Sequence, residues 1–318
     1  MRVVVALGGN ALLRRGEPPE AEIQQHHVGA AVEALIPLAR DHDLVVTYGN
    51  GPQVGLFALE SAQEPVLSHP YPLDVLGAQT QGMIGYWLLQ ALENALPGQQ
   101  VVSLICQTLV DNDDPAFRYP TKFVGPVYQE DDARRLAVQR GWHVRQDGSS
   151  WRRVVASPEP RALVEMPTIR TLLGDGAVVV CAGGGGIPVC RSASGHLHGA
   201  EAVVDKDLTA ALLARDLGAD AVLLLTDVAA VETGFGHDDA KPIRRSSPSA
   251  LRAEDFPPGS MGPKVDAACR FVESTGRVAM IGRLEDAVDL LDGTAGTLVT
   301  PDTLSRDPER SAVVDSVA

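Results

Sequence analysis

Short runs of consecutive apolar residues recur along the chain, separated by polar segments and glycine-rich turns. We interpret six of them as β-strands, at residues 3–7, 44–47, 101–105, 177–182, 221–226 and 278–281. Because these runs are apolar on both faces rather than at alternate positions, they are typical of parallel strands covered on both sides.

Residues at helical spacing lie between several of these runs. They are Val28, Val32, Leu35 and Ala39 in one segment and Leu208, Leu212 and Arg215 in another. Strands that alternate with helices along the whole chain predict an α/β fold with a mostly parallel central sheet. We expect residues 1–318 to form a single domain.

One segment, from about residue 111 to residue 160, interrupts this alternation. It is rich in Asp, Pro, Trp, Arg and Gly, and Asp147-Gly148 is a signal for a hairpin turn. We interpret the segment as an inserted subdomain, or flap. Residues 302–318 include the charged run 306–310, and we expect them to form a peripheral tail.

Charge and hydropathy restrict the class of protein. The formal net charge of −14 disfavours binding to nucleic acid or to an anionic membrane. No run reaches the roughly 18 uncharged apolar residues that cross a bilayer, and the first apolar run is too short for a secretory signal. We therefore expect a cytoplasmic protein, in which an anionic substrate would need a local positive site.

Metal and redox motifs are not indicated. The closest approach to a metal pair, His196-x-His198, is more typical of a surface hairpin, so we predict no metal-ligating residue. No Cys-x-x-Cys pair occurs, and plain thiols are expected at all four cysteines, which are Cys106, Cys181, Cys190 and Cys269.

Lysine is scarce, because only four of the 27 Lys and Arg residues are lysines. Lys241 lies in a segment typical of a solvated loop. Lys122, Lys206 and Lys264 lie in the less usual contexts Pro-Thr-Lys, Asp-Lys-Asp and Gly-Pro-Lys. A compact ammonium group suits phosphate oxygens whose charge shifts during transfer. Compositional bias alone would also leave a few lysines, so a functional role for any single lysine stays open.

Three predicted strands run directly into glycine, at residues 8–9, 49–51 and 183–186. The carboxyl ends of parallel strands meet at one sheet edge, where backbone N–H groups and helix N-termini attract anions. A single such loop is often only a tight turn, whereas three favour a site for a polyphosphate and a second anion. A P-loop and a Gly-x-Gly-x-x-Gly motif after the first strand are both absent.

Longer segments of the chain resemble carbamate kinase, a family of the amino-acid-kinase fold. They are residues 6–12 (ALGGNAL), 48–55 (YGNGPQVG), 79–86 (QTQGMIGY), 114–117 (DPAF), 120–122 (PTK), 151–158 (WRRVVASP), 183–188 (GGGGIP), 201–207 (EAVVDKD) and 261–264 (MGPK). These segments are collinear and cover about residues 1 to 300. Kinases of acetylglutamate, glutamate, aspartate or UMP share the glycine loops but lack the insertion and this set.

The resemblance implies an open αβα sandwich, a homodimer and a place in arginine metabolism. It implies the reversible reaction of ATP and carbamate to ADP and carbamoyl phosphate with Mg²⁺, often running toward ATP. Residues 1–200, with the insertion, would form the carbamate lobe, and residues 201–301 the nucleotide-binding lobe.

The resemblance also implies roles for single residues. Lys122 and Lys206 would hold the transferred phosphoryl group, Lys264 would hold nucleotide phosphates, and Asp205 would orient the lysines. The carbamoyl end would be bound by Gly49, Asn50 and Gly51. The residues implied for the phosphates and the nucleotide are Gly8, Gly9, Asn10, Gly183, Gly184, Thr226, Asp227 and Met261.

One departure from the family pattern follows Asp227. Family members commonly carry a bulky aromatic residue and a longer hydrophobic stretch there, whereas residues 229–236 read AAVETGFG. Contacts to adenine are therefore not implied. Two alternatives stay open: a kinase of another small acid or phosphonate with the same anion site, and a non-catalytic nucleotide or metabolite sensor on the same fold.

Overall fold

The computed structural model describes residues 1–14, 16–234, 240–256 and 261–305, so most of the predicted tail lies outside the described residues. The strands are β1 (Arg2–Leu7), β2 (Asp43–Tyr48), β3 (Val101–Ser103), β4 (Gln107–Leu109), β5 (Lys122–Tyr128), β6 (His143–Asp147), β7 (Ser150–Val155), β8 (Ala162–Leu163), β9 (Val178–Val180), β10 (Ile187–Arg191), β11 (Leu197–Gly199), β12 (Ala221–Thr226), β13 (Val231–Thr233), β14 (Lys241–Ile243), β15 (Arg245–Ser246), β16 (Val278–Arg283) and β17 (Thr297–Val299).

The helices are α1 (Ala21–Asp41), α2 (Gly51–Gln63), α3 (Leu73–Ala95), α4 (Glu130–Arg140), α5 (Met166–Gly174), α6 (Lys206–Leu217), α7 (Pro248–Leu251), α8 (Met261–Thr275), α9 (Ala287–Leu291) and α10 (Asp302–Ser305). Over the ranges that the structure describes, none of them combines the length and the apolar character needed to cross a bilayer.

Eight strands form the central sheet, in the order β15-β17-β16-β12-β1-β2-β9-β3. Only β16 and β17 pair in antiparallel fashion, and the other neighbours are parallel. The predicted α/β fold with a mostly parallel sheet is confirmed, and all six predicted strands lie in this sheet. β3 and β9 are shorter than their apolar runs because the chain leaves the sheet after Ser103 and Val180.

Both faces of the sheet are covered, which explains why its central strands carry apolar residues on both faces. Successive residues of a strand point to opposite faces. Val3 and Val5 of β1 pack with residues of α1, α3 and α9. Val4 and Ala6 of the same strand pack with residues of α5, α6 and α8. The three layers form the expected open αβα sandwich.

The two predicted helices are present, but their environments differ. Helix α1 buries the predicted row, which is Val28, Val32, Leu35 and Ala39. Helix α6 is different, because Leu213 is buried while Arg215, in the predicted row, is exposed. Helix α6 packs against both α8 and the sheet, so its buried side is wider than the stripe that the spacing indicated.

A separate antiparallel sheet, in the order β5-β7-β6, is accompanied by α4 within the segment predicted as an insertion. We call residues 122–155 the flap sheet. Strands β6 and β7 are joined at Gly148, whose φ of +63° is that of a tight turn, as the Asp147-Gly148 signal predicted. Strand β5 begins at Lys122, so this sheet carries one of the three unusual lysines. The β10–β11 hairpin exposes His196 and His198, as expected.

Two of the contacts that hold the flap sheet against the main body involve the backbone. Gly55 of α2 lies so close to Gly125 of β5 that a Cβ atom on Gly55 would stand 2.5 Å from the Gly125 Cα. At the end of β7, Ala156 O accepts a hydrogen bond of 3.0 Å from Val203 N. The second contact continues the flap sheet into the segment that precedes α6.

Replacing Gly55 by alanine is therefore expected to displace β5 and lower the free energy of unfolding by about 1–3 kcal/mol, the usual cost of overpacking. Gly77 is a matched control, because it is also the fifth residue of its helix and has open space at its Cβ position. Gly77→Ala should be neutral or stabilising. Chemical denaturation and amide hydrogen exchange in β5 measure both variants, and equal behaviour would show that the Gly55–Gly125 contact does not fix the flap sheet.

Candidate active site

The three glycine loops meet at one edge of the central sheet. They follow β1, β2 and β9, which are parallel neighbours. A Cβ atom on Gly49 would lie 3.0 Å from Gly9 N and 3.1 Å from Lys206 Cδ, so a residue without a side chain lets the first two loops and the lysine approach each other. Gly184 of the third loop packs against the side chain of Asn50.

Asp205 joins the flap sheet to the beginning of α6. It is the N-cap residue of the helix, and its Oδ1 accepts hydrogen bonds from the backbone N–H groups of Asp207 at 2.9 Å and Leu208 at 3.3 Å. Its Oδ2 accepts a hydrogen bond of 2.6 Å from Lys122 Nζ. The same carboxylate therefore caps the helix and holds the lysine of the flap sheet.

Asp207 holds the other two lysines. Its Oδ1 lies 2.5 Å from Lys206 Nζ, and its Oδ2 lies 3.0 Å from Lys264 Nζ. The Asp207 side chain is only 6% exposed. Sequence reasoning named Lys122, Lys206, Lys264 and Asp205 but missed this residue, although the Asp-Lys-Asp pattern placed a second carboxylate beside Lys206.

The electrostatics of this cluster follow from burial and mutual attraction. Burial would raise the pKa of Asp207, but Lys206 and Lys264 outweigh it and hold that pKa below its usual value. Burial lowers the pKa of Lys206 to about 8, with Lys264 acting in the same direction and Asp207 opposing. For Lys264 the attraction of Asp207 exceeds the effect of burial, so its pKa is raised. The cluster thus concentrates positive charge inside a protein whose net charge is −14.

A second polar cluster joins the first glycine loop to the end of β12. Asn10 Nδ2 donates a hydrogen bond of 2.8 Å to Asp227 Oδ2, and Thr226 Oγ1 donates one of 3.1 Å to Asp227 Oδ1. Burial alone would raise the pKa of Asp227, but these hydrogen bonds lower it. Gly8 packs against the backbone of Leu225 in the same strand. The structure thus brings four residues of the predicted nucleotide side together, namely Gly8, Asn10, Thr226 and Asp227.

The remaining predicted residues lie near the same edge. Gly51 begins α2, and Met261 begins α8 and precedes Lys264 on that helix by three residues. Gly183 follows β9 and packs against the ring of Tyr48. Residues 229–234, where the chain departs from the family pattern, form the turn after β12 and strand β13, whereas residues 235 and 236 lie outside the described ranges.

Two polar residues of α3 support the loops and were not predicted as site residues. Thr80 Oγ1 accepts a hydrogen bond of 2.7 Å from Asn50 Nδ2. Gln81, which is buried, donates from Nε2 to the carbonyl oxygens of Cys106 and Gly183 and accepts from the backbone N–H of Cys106. The sequence signal was the polar run Gln79-Thr80-Gln81, which lies in one of the segments that resemble the family pattern.

The flap sheet makes one further ion pair with the body. The guanidinium group of Arg153 lies over the Trp142 ring, 4.7 Å from its centroid, and 3.5 Å from Glu201 Oε1. The other carboxylate oxygen of Glu201 accepts a hydrogen bond of 2.8 Å from Leu73 N, at the start of α3. Arg153 therefore ties the strand beside Lys122 to the segment that leads to Asp205.

No group of three or more His, Cys, Asp and Glu side chains in the described ranges is arranged to hold a metal ion.

Comparison with known proteins identifies the family. A sequence profile of the amino acid kinase family matches residues 1–283. The carbamate kinase of Rhizobium meliloti (strain 1021) is 54% identical over 304 residues, which cover 94% of this chain and 93% of that protein. The chain belongs to the carbamate kinases of the amino acid kinase family. The resemblance inferred from the sequence is confirmed.

Further similarity is found both to a protein sequence and to a solved structure. The carbamate kinase of Pyrococcus furiosus is 44% identical over 312 residues, covering 94% of this chain and 99% of that protein. The solved structure of the carbamate kinase from Giardia lamblia bound to AMP-PNP has a TM-score of 0.86 and 39% identity, covering 95% of this chain and 98% of that one. These similarities extend over nearly the whole chain.

Removing the charge of Asp207 should be strongly destabilising. Asp207→Asn leaves Lys206 and Lys264 buried without their carboxylate, and such a loss costs about 3–5 kcal/mol. Asp132→Asn is the control, because Asp132 pairs with Arg135 at 2.6 Å between exposed side chains, where an ion pair contributes little. Chemical denaturation compares the two, and a cost for Asp207→Asn no larger than that for Asp132→Asn would contradict a structural role for Asp207.

Proposed function

We propose that the protein catalyses reversible phosphoryl transfer between ATP and carbamate, giving ADP and carbamoyl phosphate. The observation that carries the proposal is the set of three ammonium groups, on Lys122, Lys206 and Lys264, beside three glycine loops in a chain of the carbamate kinase family. Phosphoryl transfer depends mainly on positioning and on charge stabilisation, which these groups supply.

Lys122 and Lys206 contact the transferred phosphoryl group from two sides. Lys122 approaches from the flap sheet and Lys206 from the start of α6, and both offset negative charge that shifts between the attacking and leaving oxygens. Lys264 binds the nucleotide phosphates from α8. Asp205 and Asp207 position the three amines through their ion pairs. Carbamate is already an oxyanion, so its attack needs no general base.

The glycine loops supply backbone donors to the two anions. Gly49, Asn50 and Gly51 bind the carbamoyl end, where the hydrogen bond to Thr80 fixes the Asn50 amide. The phosphates and the rest of the nucleotide contact the first and third loops, the cluster at the end of β12 and the start of α8. The residues are Gly8, Gly9, Asn10, Gly183, Gly184, Thr226, Asp227 and Met261. Residues 1–200 form the carbamate lobe, with the insertion at about 111–160, and residues 201–301 form the nucleotide-binding lobe.

The proposal includes Mg²⁺, held through nucleotide phosphate oxygens, and assigns it no protein ligand. It also includes a homodimer in the cytoplasm and a role in arginine catabolism in which the reaction runs toward ATP. The net charge of −14 supports the absence of nucleic-acid and membrane partners.

Incubation with ADP, Mg²⁺ and carbamoyl phosphate should therefore yield ATP. Lys122→Ala and Lys206→Ala should each lower turnover by about 10²-fold or more, because each removes a charge that faces the transferred group. Lys241→Ala is the matched control, since Lys241 is exposed on β14. Intact binding without ATP formation would favour a kinase of another small acid, and near-normal turnover in both active-site variants would favour a sensor.

The pKa of Lys206 predicts a pH dependence. As the pH rises through about 8, free enzyme loses one ammonium charge, so kcat/KM for carbamoyl phosphate should fall. Bound phosphate favours the protonated amine, so the fall in kcat should occur at higher pH. Lys206→Arg stays protonated, and its remaining activity should lack this alkaline limb. An unchanged limb in that variant would assign it to another group.

A further inference from the structure

Lys206 shares its carboxylate with another lysine. In the described part of the chain, Lys206 and Lys264 both pair with Asp207, through its Oδ1 at 2.5 Å and its Oδ2 at 3.0 Å, while Lys122 pairs separately with Asp205. Two ammonium groups on one buried carboxylate leave an excess positive charge. Loss of a proton from one lysine removes that excess charge. Burial favours this loss, because an unpaired charge is costly inside a protein.

The geometry indicates that Lys206 is the lysine that gives up its proton. Lys264 lies within 3.3 Å of both Asp207 oxygens, whereas Lys206 contacts one. The charge of Lys264 also helps to lower the pKa of Asp227. The groups that act on Lys206 are Asp207, Lys264 and Asp205, and burial lowers its pKa to about 8 despite the two carboxylates. A substantial fraction of Lys206 is then a neutral amine at neutral to mildly alkaline pH.

The stem of Lys206 lies beside the loop that is proposed to bind the carbamoyl end. Its methylene carbons Cδ and Cε lie 3.1 and 3.2 Å from the position of a Cβ atom on Gly49. The Lys206 side chain as a whole keeps 12% of its surface exposed. A desolvated lysine beside another cation is a recognised form of activated nucleophile.

We propose that Lys206 is a carbamoylation site, modified by bound carbamoyl phosphate in a side reaction that inactivates the enzyme. This inference rests on the proposed function, which brings carbamoyl phosphate to the cleft. The amine lone pair forms a bond to the carbamoyl carbon, the bond from that carbon to the phosphate oxygen breaks, and phosphate leaves with the amine proton. The product, an Nε-carbamoyl-lysine, is neutral and no longer supplies the charge that phosphoryl transfer requires.

Occupancy of the phosphate sites should control the side reaction. A bound nucleotide adds the charge of its phosphates to that of carbamoyl phosphate beside Lys206, so the unreactive ammonium form is favoured more than it is by carbamoyl phosphate alone. The enzyme is therefore protected while it binds nucleotide and is vulnerable when carbamoyl phosphate is present without it. Lys241, exposed on β14, is an internal reporter of unselective modification in the same chain.

The test incubates the wild-type protein with carbamoyl phosphate, without nucleotide, at about pH 8, the pKa of Lys206. Peptide mass spectrometry follows the four lysines, and samples are assayed for ATP formation. The expected result is one carbamoyl group on Lys206, at a rate that saturates with carbamoyl phosphate and exceeds that of Lys241 by about tenfold or more, with parallel loss of activity. ATP should suppress it. Equal modification of the two lysines, or no protection by ATP, would overturn the proposal.

A parallel incubation with potassium cyanate distinguishes the two possible carbamoyl donors, which are bound carbamoyl phosphate and free cyanate. It is needed because carbamoyl phosphate decomposes to cyanate and cyanate also carbamoylates amines. Cyanate reacts without occupying the carbamoyl phosphate site, so its modification of Lys206 should rise in proportion to its concentration. A rate with carbamoyl phosphate that also fails to saturate, and that equals the rate given by the cyanate it releases, would overturn modification by bound carbamoyl phosphate. Lys264→Met leaves Asp207 to Lys206 alone and should slow the modification, whereas Lys241→Met should not change it. An unchanged rate in Lys264→Met would contradict charge sharing as the cause.

The proposed function is judged separately, by ATP formation at time zero. No initial ATP formation would reject that function, whatever happens at Lys206. Normal initial ATP formation with an unmodified Lys206 would reject carbamoylation alone.

Discussion

The buried carboxylate of Asp207 is the centre on which the site depends. An ammonium group inside a protein is costly unless it is paired. Asp207 pairs with two of them, on Lys206 and Lys264, which lie 58 positions apart along the chain. Lys264 reaches it because α6 and α8 pack closely, with small residues such as Ala210 and Ala268 buried between them. The packing of two helices against the sheet thus determines where the positive charge of the site lies.

The sheet edge contributes the other half of the arrangement. Adjacent parallel strands end at one level, so the order of the strands brings together the loops after β1, β2 and β9. Gly49 is the point where two of these loops and the stem of Lys206 meet. Backbone donors and ammonium groups are therefore juxtaposed by strand order, while the flap sheet adds a third ammonium from outside the sandwich.

Much of this could be predicted from the sequence, for physical reasons that differ from residue to residue. The strands were predictable because burial on both faces removes polar residues from them. The lysines were predictable because the chain otherwise uses arginine. Asp207 was missed because the sequence alone does not show that the carboxylate after Lys206 is buried and pairs with both Lys206 and Lys264. Gln81 was missed because its partners, Cys106 and Gly183, come together only through tertiary packing.

The attachment of the flap sheet could not be predicted from the sequence either, because it also depends on tertiary packing. Gly55 and Gly125 are separated by a helix and two strands, and neither residue alone signals that their backbones touch. The identity of the acceptor, carbamate, came from resemblance to a family and not from the chemistry of single residues. An anion site of lysines and glycines specifies a phosphoryl group much more directly than it specifies what the phosphoryl group is transferred to.

Asp205 illustrates how two requirements can restrict one position to a single amino acid. One of its oxygens caps α6 and the other accepts from Lys122. Serine and threonine are good caps but offer one oxygen, and asparagine replaces the second acceptor with a donor that would oppose an ammonium group. Glutamate keeps both oxygens but places them one methylene farther from the backbone. The amino acids that usually replace one another as helix caps therefore cannot replace Asp205. This position tolerates fewer substitutions than helix capping alone would allow.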